Sequence, residues 1–158
     1  QAMHGVSFEA ATTMITAYML CGAAGMFAGG FVAARMPAAS DRVVAWSMGI
    51  GAVLIVVAGT GWLGGFGSMA VLAATGFAVG IGGPSRDMMI KKATPKGATG
   101  RVYGTVYSGL DMGFALAPLI YGFFMDRGHY GLTLMLAAVF LMLSVGAALG
   151  VGKRTAAA

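Results

Sequence analysis

The chain has 158 residues, of which 58% are hydrophobic and 9% charged, and it carries a formal net charge of +5. A nucleic-acid-binding role needs a basic, soluble face, and this composition leaves no room for one. The charges fall instead in gaps between long apolar stretches, so their order along the chain is the first thing to read.

A hydrocarbon layer of about 30 Å takes roughly 20 helical residues to cross. Residues 10–34 carry no charge and meet that length. Residues 43–85 also carry none, and they are long enough for two passes. The run Gly59-Thr60-Gly61-Trp62-Leu63-Gly64-Gly65-Phe66-Gly67 divides them, because clustered glycines favour a turn and Trp62 suits a membrane interface. Residues 102–125 contain only Asp111 as a charge, and residues 130–152 contain none. The reading is an all-α, polytopic transmembrane bundle with helices over about 10–34, 43–60, 66–90, 101–125 and 130–152.

Five crossings put the two ends on opposite sides. Arg35 and Arg42 follow the first helix, and Arg86, Lys91, Lys92, Lys96 and Arg101 surround the connection after the third. Lys153 and Arg154 lie in the tail, while the other side holds only Arg127. The positive-inside rule then makes those two connections and the C-terminus cytoplasmic, in a plasma (inner) membrane, and leaves residues 1–9 outside.

Other residue types set weaker bounds. Cys21 is alone and reads as a small packing residue inside a helix. The N-terminus lacks the basic flank of a secretory signal, and Gln1 is not a start residue, which suggests a processed or truncated chain, although Met3 is a possible initiator. His4 and His129 fall in outside loops without ligand-like spacing, so neither a metal nor a cofactor is expected. The 13 methionines are scattered apolar filler. Of the 27 glycines, Gly25/Gly29, Gly76/Gly80, Gly100/Gly104, Gly109/Gly113 and Gly146/Gly150 are spaced four apart, as at close helix crossings in lipid.

Asp111 lies ten residues into the fourth helix, near the bilayer middle. An ionised carboxylate there is costly unless it is protonated, paired or wetted. It is a candidate proton carrier, with a hydrogen-bonded packing role beside Tyr107, Ser108 and Gly109 as the alternative. The segment Gly82-Gly83-Pro84-Ser85-Arg86-Asp87 ends the third helix with a weakened backbone ladder, a feature that accompanies substrate paths in transporters. Arg86 and Asp87 are candidates for a cytoplasmic gate with charges on another helix. As adjacent residues they are not expected to share a face or to pair with each other.

The run from Gly82 to Asp126 resembles the major facilitator superfamily of secondary transporters. Its features are the Gly-Pro near a helix end, a basic loop with Pro95, then Gly100-Arg101-Val102-Tyr103-Gly104, and then Gly113-Phe114-Ala115-Leu116-Ala117-Pro118-Leu119-Ile120-Tyr121-Gly122. The last of these is similar to the Gly-x-x-x-x-Pro-x-x-x-Gly core of that family's eleventh helix, which marks Gly113, Pro118 and Gly122 as packing residues beside Gly109, already read so from its spacing to Gly113. Between the first two helices, Gly30 to Arg35 is similar to the family's charged cytoplasmic motif. Gly30 and Arg35 are kept, Ala34 replaces the expected acid, and Asp41 and Arg42 follow as possible substitutes.

The resemblance implies helices eight to twelve of twelve, a partial C-terminal half whose first, third and fourth helices here lie nearest the cavity and whose second and fifth face lipid. It further implies alternating access for a small organic solute, coupled to protons, in partnership with an N-terminal half. An assembly subunit that binds partner helices through glycine faces is the alternative from a different class. A membrane enzyme is disfavoured, because neither a His cluster, nor paired intramembrane carboxylates, nor a nucleophile beside a base appears.

Overall fold

The computed structural model describes residues 7–60 and 62–156, with side chains through Lys153. The chain forms five long helices, α1 (Phe8–Arg35), α2 (Ser40–Gly59), α3 (Gly64–Ala93), α4 (Thr99–Met125) and α5 (Tyr130–Ala156), with a 3₁₀ turn over Pro37–Ala39. All five are long and apolar enough to cross a membrane, as the sequence leads one to expect. No strand occurs among the described residues. His4, read as a loop residue, lies outside them.

Local chemistry sets the helix ends. Ser7 caps α1 by accepting a hydrogen bond from the Ala10 amide at 3.2 Å. Between α2 and α3 the chain turns at Gly64, whose φ of +63° suits a residue without a Cβ. α2 begins at Ser40 rather than near residue 43, because the turn at Pro37 leads directly into it and the Ser40 hydroxyl donates to the Pro37 carbonyl at 2.7 Å. α3 runs unbroken through Pro84 to Ala93.

The helices pack in the order α1, α3, α2, α5, with α4 touching α3 and α5 only slightly. Glycines explain the closest crossing. A methyl added at Gly29 would lie 2.8 Å from the Ile81 Cα, and one at Gly80 would lie 3.0 Å from the Met26 amide nitrogen. Backbone therefore meets backbone between α1 and α3, a dispersion-rich contact that only small residues permit. Gly25 and Gly76 take part in the same seam, against Phe77 and Tyr18. On the other side of α3, Gly51 admits Val79 and Gly82 admits Ser47 and Met48. Val44, Met48 and Ala148 form the core there, with Val79, Met89, Leu141 and Val145 packed around them.

One expectation changes. α2 was expected to face lipid, yet it buries seven residues, because one face is held between α3 and α5 while Trp46, Ile50 and Val53 point outward. No residue of α4 is buried. Large apolar side chains such as Phe27, Trp46, Phe66, Phe114 and Leu119 stand exposed, which in water would be an aggregation hazard and in a bilayer is the normal lipid-facing surface.

Candidate functional site

The third and fourth helices bring polar side chains together toward the connection that joins them. Arg86 lies seven residues before the end of α3, about 10 Å along the axis at 1.5 Å per residue. Its Nε and one terminal nitrogen each lie 3.4 Å from Oδ1 of Asp87. Contrary to the expectation that neighbours on a helix stay apart, the long arginine side chain folds back onto its neighbour. The pair is about half exposed, and both contacts fall on a single oxygen at long range, so it contributes at most ~1 kcal/mol to stability.

α4 supplies two tyrosines to the same carboxylate region. The Tyr107 hydroxyl lies 3.5 Å from Oδ1 of Asp87, and the Tyr103 hydroxyl lies 3.4 Å from the Asp87 carbonyl oxygen. Their rings are four residues apart and stack, with centroids 6.0 Å apart and planes 13° from parallel. Asp111 is a further four residues along, so Tyr103, Tyr107 and Asp111 form one stripe. Asp111 is exposed and has no hydrogen bond or ion pair among the described residues. Arg86, Asp87 and Tyr107 therefore meet, while Asp111 shares the α4 face of Tyr107 without a hydrogen bond or ion pair to any of them. Tyr103 was not singled out from the sequence, although its spacing to Tyr107 and Asp111 was the available signal.

The second polar cluster joins the α1–α2 connection to α3. Lys92 donates to the Pro37 carbonyl, which also accepts from Ser40. Asp41 and Arg42 line a cleft of about 430 Å³ with Lys92, Met89 and Gly152. Of the motif residues read between the first two helices, Asp41 and Arg42 thus reach a shared cleft. Arg35 ends α1 and does not line it, and Gly30 faces open space. Lys92 was read only as a topology charge, yet it makes the one side-chain link described here between α3 and this connection.

Gly109, Gly113 and Gly122 on α4 have nothing within 4 Å of an added methyl, and Pro118 is exposed. The packing expected of them finds no partner among the described residues. The described residues also contain no group of three His, Cys, Asp or Glu side chains placed to hold a metal.

No curated protein and no solved structure matches this chain. The family model described as Major Facilitator Superfamily matches residues 2–157, nearly the whole chain, and the five long apolar helices suit a membrane transporter of that kind. The chain belongs to the Major Facilitator Superfamily.

Proposed function

We propose that these five helices are helices eight to twelve of a secondary transporter that carries a small organic solute by alternating access, coupled to protons, with the C-terminus in the cytoplasm of a plasma (inner) membrane. The observation that carries the reading is the stripe of Tyr103, Tyr107 and Asp111 on α4, set against Arg86 and Asp87 on α3. A carboxylate at membrane depth on the same face as two hydroxyls and an ion pair offers a route for a proton and a polar group for a solute. The uncovered face of α4 supports a partner: an N-terminal half, and the remaining helix of this half, are its natural cover. The same face favours the second reading, an assembly subunit binding foreign helices.

The experiment is transport by the complete protein with Asp111→Asn. Asparagine keeps the size and loses the titratable carboxyl, so proton-driven uptake or efflux is expected to fall by at least about tenfold with insertion intact. Unchanged transport with an unchanged pH profile removes Asp111 from the mechanism. Five helices that are inserted and stable but move no solute, and that co-purify with a foreign helical subunit, favour the second reading.

A further inference from the structure

Two adjoining cavities of about 490 and 620 Å³ lie where α3, α4 and α5 diverge. They share Arg86, Ile90, Val106, Ser144 and Ala147 in their walls, and Arg86 is the one charged residue lining either. Both volumes lie in the range of roughly 300–1,000 Å³ that holds small organic ligands, in which apolar walls supply affinity and a few polar groups fix orientation. Apolar surface with one cation is an unusual lining, because a cation facing hydrocarbon without a counter-ion is costly.

Asp87 relieves that cost only in part. It engages one side of the guanidinium through a single oxygen at 3.4 Å, leaves the other terminal nitrogen without a partner among the described residues, and lines neither cavity. Asp111 lines neither cavity as well, so the one carboxylate near a bound negative charge is Asp87, on the other side of the guanidinium. Tyr107 and Ser144 add hydroxyls to the wall. Ser144 already donates its one proton to the Leu141 carbonyl at 2.6 Å, so the guanidinium of Arg86 is the charged donor these walls offer an acid group.

We infer that this cavity binds an amphipathic organic anion, with its acid group on the free edge of Arg86 and its apolar body against Val106 and Ala147. The assignment of that anion as cargo rests on the transporter reading, whereas the binding does not. An anionic lipid offers the same chemistry, so the test separates the two sources.

The test is equilibrium binding of 2-naphthoate to the full-length protein in phosphatidylcholine nanodiscs, with empty discs subtracted. Saturable binding is expected in the unmodified protein. Arg86→Gln should weaken it by about tenfold or more, the loss of a charge-assisted contact, and Arg86→Lys should fall between. Neutral 2-naphthalenemethanol should bind weakly and equally to all three. Ala147→Leu leaves Arg86 in place and narrows the wall shared by both cavities, so it should also weaken naphthoate binding while the unfolding temperature holds. Absence of saturable binding, equal affinity in Arg86→Gln, or unaltered binding in Ala147→Leu overturns the proposal. Loss of naphthoate binding when phosphatidylglycerol replaces phosphatidylcholine overturns a soluble anion as the occupant in favour of lipid. Naphthoate binding without any solute transport leaves this site standing and removes the transporter reading alone.

Discussion

Arg86 and Asp87 are held together too loosely for their pairing to be a structural device. Contacts of 3.4 Å to one oxygen, on side chains that are about half exposed, are at the weak end of ion pairing. Asp87→Asn should accordingly lower the unfolding free energy by less than ~1 kcal/mol, which a detergent thermal melt will read as little or no shift. Transport by the complete protein should drop much further than stability does, because the carboxylate also faces Tyr107 from α4. Equal losses in both measurements would make the pair a packing feature. Tyr107→Phe removes one hydroxyl at 3.5 Å and should have a smaller effect than Asp87→Asn in both assays.

At the scale of elements, the glycines sort into two groups that sequence spacing cannot separate. Gly29→Ala puts a methyl 2.8 Å from the Ile81 Cα, and backbone cannot yield as a side-chain tip can, so α1 and α3 must part. A cost of about 1–3 kcal/mol is expected from overpacking of this kind, read as a lowered unfolding temperature. Its neighbour Gly30 has nothing within 4 Å, and Gly30→Ala should be neutral or slightly stabilising in the same melt. The contrast explains what was legible. Helix number and turns follow from local quantities, the length of each apolar run and the placing of charges around it, and these are written in the chain. Helix rotation is not, because lipid is as apolar as the core and no polar stripe marks the outer face. The spacing of Gly25, Gly29, Gly76 and Gly80 pointed to a real seam, and identical spacing at Gly109 and Gly113 points to open space. Likewise the Arg86–Asp87 pair depends on how a flexible side chain folds back, and the Lys92–Pro37 link on which helix ends lie side by side.

For the whole molecule, the bare face of α4 and the distribution of charge make two linked statements. If a further part of the transporter covers α4, then Gly113→Leu should leave the stability of these five helices alone unchanged, since an added Cβ meets nothing within 4 Å there, and should impair assembly of the complete protein. Unaltered assembly would place the cover elsewhere. The charges speak to orientation. Lys91, Lys92, Lys96 and Arg101 flank the α3–α4 connection, whereas Arg127 alone marks the α4–α5 turn, and the resulting bias should place those two connections on opposite faces of the membrane with the basic one inside. Cys21 is the sole cysteine, so Cys21→Ser gives a background in which one new thiol can be read without interference. In that background His129→Cys should react with a membrane-impermeant maleimide on intact cells, because it lies exposed in the α4–α5 turn, the side that the charge bias assigns to the outside. Lys96→Cys should react only after the membrane is permeabilised, and the loop keeps three of its basic residues, so the substitution should not itself invert the chain. The reverse labelling pattern would turn the molecule over. The Lys92–Pro37 link and the mouth of the Arg86 cavity would then open to the outside, and any anion bound there would be drawn from that side.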